Sequence, residues 1–148
     1  MKAKKWQYGT LGSISSGTMR PQDLIPDFVY TLRYLGHRSK ELTRIERRMN
    51  STKYYETEDS MWDLESLFDM LQEHAPDYVY FGSHPGDGSD YGFWVSDFVD
   101  DDFEDLKVSD LADIPSDYIG HVLVINDHGN MTLYYKSARK LTELWSAV

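Results

Sequence analysis

Cysteine is missing altogether from this chain of 148 residues. No disulfide framework, thiolate metal site or Cys nucleophile is therefore available, and the composition suits a reducing compartment. Long apolar runs are missing too, so no stretch reaches the length of a membrane span. The basic start, MKAKKWQYGT, lacks the apolar segment that a secretion signal needs. The expectation is a cytoplasmic protein with no membrane contact. Basic residues are almost missing from the middle: residues 56–135 hold twenty Asp/Glu and only Lys107, a balance of −19. Residues 1–55 carry eleven Lys/Arg against four acids and residues 136–148 carry three against one, which brings the whole to −10. Such segregation predicts a bipolar surface unless the fold interleaves the blocks.

What is present, 41% apolar residues and 14% aromatic ones, suffices for one ordinary core. A single domain over 1–148 is expected. KWQYGTLG reads as a first short strand and GSISSGT as a Gly/Ser-rich loop. In DLIPDFVYTLRYLG, Leu24, Ile25, Phe28, Val29, Leu32 and Leu35 fall on one side of a helix, with Asp23 as N-cap, Pro26 in the first turn and Gly36 as the stop. SKELTRIERRMN predicts a second helix, capped by Ser39 and closed by Asn50 in the left-handed conformation. SMWDLESLFDMLQEH predicts a third, with Met61, Leu64, Leu67, Phe68 and Leu71 as its apolar stripe.

The period then changes. YVYFGS and YGFWVS read as strands joined by a seven-residue loop whose glycines supply positive φ. HVLVIN and MTLYYK form a hairpin around DHG, with Gly129 at positive φ; the unbroken apolar run Val122 to Ile125 marks a central strand, and KLTELWSAV reads as a final strand. An acidic crossover with one short helical turn separates the hairpins. The expected fold is α+β, three N-terminal helices packed on a mainly antiparallel sheet of four to six strands.

Four groups of residues invite a functional reading. His84, Asp87 and Asp90 in one hairpin, and Asp127 and His128 in the other, carry ligand atoms for a divalent ion and would form a carboxylate-histidine site if they converged. With Asp87 at position one of a calcium loop, however, Tyr91 and Phe98 fall where oxygen ligands belong, and the phosphate-loop reading fails for want of a lysine and a following helix. GTLGSISSGTM lacks the Gly-Lys-Ser/Thr ending of a nucleotide loop, and no Gly-x-Ser-x-Gly elbow marks a nucleophile. Lys40, Arg44, Arg47 and Arg48 share one helix face able to neutralise several phosphates, but the acidic stretch that follows would repel a long polyanion. The strongest compositional feature is the acidic crossover. Asp97, Asp100, Asp101, Asp102, Glu104 and Asp105 alternate with Phe98, Val99 and Phe103. A solvated linker has little use for large aromatics, so Phe103 is expected to pack and to hold the carboxylates in place.

YGTLGSISSGTMRPQDLIPDF resembles a stretch near the start of small proteins of bacteriophages and mobile elements. The resemblance implies context and no activity: an accessory factor acting on host or competitor machinery. The leading expectation is an acidic, non-catalytic binding protein, without cofactor, that docks on a basic nucleic-acid-handling protein and inhibits or modulates it. The alternative is a small metal-dependent hydrolase or nuclease using the carboxylate-histidine set. Direct nucleic-acid binding through the basic helix ranks below both.

Overall fold

The computed structural model describes Trp6, residues 11–96 and residues 99–147, with Asp100 by its backbone only. The chain forms two compact units. One comprises Ser13–Ala75 and Phe81–Phe93, the other Met1–Gly12, Pro76–Tyr80 and Trp94–Val148. The class is α+β, with helices concentrated before the main run of strands.

In the first unit, helix α1 (Pro21–Tyr34) starts two residues before Asp23, because Pro21 needs no N–H at the first helical position and already has a helical φ. Pro26 therefore lies inside the helix and not in its first turn, at the cost of the bond it would give to Gln22 O. Asp23 takes the Thr18 hydroxyl at 2.6 Å instead of capping. Gly36 ends the helix as expected: its φ is +79°, its N–H donates to Arg33 O, and the His37 N–H donates to Leu32 O at 2.9 Å.

Helix α2 (Lys40–Arg48) is capped by Ser39, whose Oγ accepts from Leu42 N–H at 3.1 Å. Asn50 does not take the left-handed conformation. The chain continues through Met49 into a turn of 3-10 helix over Thr52–Glu56, so no reversal is needed there. Helix α3 (Glu58–His74) buries Leu67, Met70 and Leu71, whereas Met61 stands 65% exposed beside Trp62. The place expected for Met61 belongs to Ser60 and Asp63. Asp63 is drawn inward by the Tyr54 hydroxyl at 2.7 Å and Arg48 Nη1 at 3.3 Å.

These helices rest on a sheet of β1 (Ser13–Ser15), β2 (Val79–His84) and β3 (Asp87–Val95), in the order β1-β3-β2. The strand β1 lies in the Gly/Ser-rich stretch read as a loop, since a ladder needs only backbone groups; residues 7–10 of the expected first strand lie outside the described residues. The β2–β3 hairpin turns through Pro85 and Gly86 alone, not through seven residues, and none of its glycines has a positive φ. Its far end is exposed, so the polar composition reflects solvated strand faces. At the centre, Phe28 of α1 meets Phe68, Phe81 and Tyr91 edge-on with centroids 5.2, 5.3 and 6.0 Å away.

The second unit carries α4 (Val99–Asp102) and a second sheet, so the strands form two sheets instead of one. Its strands are β4 (Leu106–Val108), β5 (Gly120–Ile125), β6 (Met131–Lys136) and β7 (Leu141–Ala147), in that order. The short β4 runs parallel to β5, with Leu106 opposite Val122. Successive residues Val122 and Leu123 of β5 are fully buried, so both faces of this inner strand are covered there. The β5–β6 loop spans residues 126–130, longer than three, because Asn126 Oδ1 gathers the N–H groups of His128 and Asn130. Gly129 has a φ of +80° as expected. Trp145, buried in β7, donates its indole N–H to Asp77 O at 2.8 Å.

The charge blocks do not coincide with the units. Thirteen acids face eight Lys/Arg in the first unit and twelve face seven in the second, so each carries −5. Segregation of sign is local. Among the described residues no helix is long and apolar enough to cross a membrane.

Candidate functional site

After β3, the chain makes a single helical turn, with Val99 N–H donating to Ser96 O and Phe103 N–H to Val99 O, both at 3.0 Å. Val99 is 2% and Phe103 4% exposed, so the two apolar residues of this acidic stretch point inward. Asp101, Asp102, Glu104 and Asp105 are exposed between and after them. Spacing of four residues puts Val99 and Phe103 on one side of the turn, which leaves the acids the other side. Asp97 and Phe98 lie outside the described residues, as does the side chain of Asp100.

Phe103 packs edge-on against Tyr78, with centroids 5.4 Å apart. Tyr78 has a φ of 64°, a left-handed conformation that costs a non-glycine residue about 1–2 kcal/mol and collects where structure holds it for a purpose. It is held by Ser96 N–H, which donates to Tyr78 O at 2.9 Å. Burial first, then the negative fields of Asp105, Asp77 and Glu104, push the Tyr78 hydroxyl above the usual phenol range. Even so, 38% of the residue stays exposed, leaving part of an aromatic ring beside the acids. His121 of β5 completes the group. Its Nδ1 lies 3.6 Å from Asp105 and its Nε2 3.8 Å from Asp77. The arrangement offers closely spaced carboxylates to an incoming Lys or Arg by ion pairing, beside a partly exposed Tyr78.

Nothing in the sequence joined Asp77, Tyr78 or His121 to the acidic crossover; Tyr78 stood out there only as one of several strand aromatics. The three come from two separate segments, residues 77–78 and β5, which tertiary contact brings beside Phe103 and Asp105. The one local signal was the acid-aromatic alternation, which pointed to Phe103 and not to its partners.

Three of the five residues read as metal ligands bond within their own hairpin or to the neighbouring strand β1. His84 Nδ1 accepts from Gly86 N–H at 2.9 Å, Asp87 Oδ1 accepts from the Ser89 N–H and hydroxyl, and Asp90 accepts from the Ser13 hydroxyl. Those two bonds from Ser89 hold the Asp87 carboxyl below its ordinary range. Asp127 and His128 sit in the β5–β6 loop of the other unit. Among the described residues, no three His, Asp or Glu side chains are grouped so as to hold a metal ion.

The basic face is assembled as expected on α2, with a difference at Arg48. Lys40, Arg44 and Arg47 are exposed, whereas Arg48 is partly buried on Asp63. Arg33 and Arg38 join these four around one cavity. No protein-family model, curated protein or solved structure matches the chain.

Proposed function

We propose that this chain is an acidic, non-catalytic binding protein whose 99–105 turn docks on a positively charged groove of a nucleic-acid-handling protein and modulates it. The observation that carries this reading is the pair of anchors: Val99 and Phe103 are buried, so Asp101, Asp102, Glu104 and Asp105 project from a fixed turn and not from a loose linker. Fixed acceptors lose less conformational freedom on association than mobile ones, and closely spaced carboxylates imitate the charge density of a phosphate backbone. The exposed part of Tyr78 adds an aromatic contact of the kind enriched at interfaces. The phage-like N-terminal stretch supports an accessory role.

The test replaces Asp100, Asp101, Asp102, Glu104 and Asp105 by their amides, which preserves shape and removes five negative charges. Tagged wild-type protein should retrieve a basic protein from extract, identified by mass spectrometry, and the amide variant, with its circular dichroism unchanged, should not. Retrieval of the same protein by both forms would make the turn a solubilising surface only.

A further inference from the structure

A cavity of ≈ 940 Å³ opens at the corner between α1 and α2 of the first unit, and Arg33, Arg38, Lys40, Arg44, Arg47 and Arg48 all line it. Six cations around one concavity repel one another, and their own acids answer only part of that charge. Glu46 takes Arg33 through both carboxylate oxygens, at 3.1 and 3.3 Å, and Asp63 takes Arg48. Glu41 touches Arg44 only at 3.8 Å, with both side chains about half exposed. The side chains of Arg38, Lys40 and Arg47 are exposed and make no hydrogen bond or ion pair among the described residues. The volume lies within the range of small-molecule sites.

The lining also says what kind of anion fits. It contains no Phe, Tyr or Trp, so the lining is built chiefly of cations and not of the aromatic rows on which successive bases stack. It supplies guanidinium forks and an ammonium, donors that suit phosphate oxygens. His37 faces the same space with its ring fixed, Nδ1 against His74 Nε2 at 2.8 Å and Nε2 against Ser39 Oγ at 3.2 Å. The positive field is short in extent. Glu41 and Glu46 lie on α2 itself, and the next cavity, beyond Arg48, is lined by Asp59 as well as Lys53. A strand of nucleic acid leaving the cavity would run onto carboxylates, whereas a compact anion would not.

We infer that the α1–α2 cavity is a binding site for a compact polyphosphate, two or more linked phosphates, either free or as the tail of a nucleotide. Arg38, Lys40, Arg44 and Arg47 hold the phosphate oxygens, while Arg33 and Arg48, tied to Glu46 and Asp63, fix the walls. The site shares no residue with the acidic turn and is independent of the role proposed for it.

Calorimetry at low ionic strength with tripolyphosphate, ATP and a single-stranded oligonucleotide tests the assignment. Tripolyphosphate and ATP should both bind one to one, and Arg38→Glu with Arg47→Glu should raise Kd at least about tenfold, the loss expected when two charge-assisted contacts turn repulsive. Both arginines are exposed and unpaired, so the variant should keep the wild-type melting temperature. A control with the same charge change in the other unit, Arg139→Glu with Lys140→Glu, should bind as wild type does. Equal affinity for the two ligands marks the phosphates alone as recognised; tighter ATP binding marks a nucleotide tail. Absence of binding to both, equal weakening by the two double variants, or tighter binding of the oligonucleotide than of tripolyphosphate would each overturn the inference.

Discussion

Phe28→Ala is expected to destabilise the helical unit by about 3–5 kcal/mol, the usual cost of emptying an aromatic site in a packed core. Phe28 is fully buried and its ring is the meeting point of both long helices and the sheet, with Phe68, Phe81 and Tyr91 all within 6.0 Å. Truncation removes the transfer energy of the ring and three edge-on contacts, and the three surrounding rings are too rigid to refill the space. Urea denaturation followed by far-ultraviolet circular dichroism measures the loss. Phe28→Leu, which keeps most of the volume, should cost distinctly less. Equal and small losses for the two variants would show that the aromatic cluster is not the centre of this unit.

The second large effect centres on Asp63, a carboxylate buried on α3. Tyr54→Phe removes its 2.7 Å donor and leaves Arg48, itself more than a third exposed, as the remaining partner. A loss of about 1–3 kcal/mol is expected at neutral pH, the range for stranding a buried polar group. The same substitution should change the alkaline limb of the stability curve. Burial, then the hydrogen bond to Asp63 and its charge, raise the Tyr54 hydroxyl far above its ordinary value of 10.0. The folded state thus keeps a proton that the unfolded state releases. This contribution is complete below about pH 10 and is lost as pH rises from there towards the folded pKa, at about 1.4 kcal/mol per pH unit for one proton. Tyr55, Tyr78 and Tyr134 are shifted up in the same direction by burial. Melting temperatures between pH 8 and 11 should therefore fall for wild type and fall less steeply for Tyr54→Phe. Parallel curves would contradict the assignment.

How much of this could be read from the chain differs by kind of interaction. The end of α1 at Gly36 and the Ser39 cap of α2 were legible, because each is decided within four or five residues by φ and one side-chain oxygen. The hairpin tip was not, because Asp87, Ser89 and Asp90 have turn-forming side chains while the β2–β3 ladder uses only their backbone. The parallel partnership of β4 with β5 joins Leu106 to Val122, and no local pattern announces such a pairing. Met61 was misplaced for a related reason: Asp63 is polar in sequence but buried in space once Tyr54 and Arg48 satisfy it. Of the acidic turn, the inward Phe103 and outward acids followed from their alternation. Tyr78 and His121 did not, since nothing near Asp105 in the chain marks either.

The central claim, that an ordered acidic turn engages a basic groove, predicts a specific kinetic signature. Association of the purified chain with the partner it retrieves should slow steeply as salt rises from low ionic strength, because the Debye length shrinks from about 30 Å at 0.01 M to about 10 Å at 0.1 M. The five-amide variant should associate slowly at every salt concentration, with a flat dependence, and approach the wild-type rate only at high salt. Identical association rates and identical salt slopes for the two proteins would contradict the account.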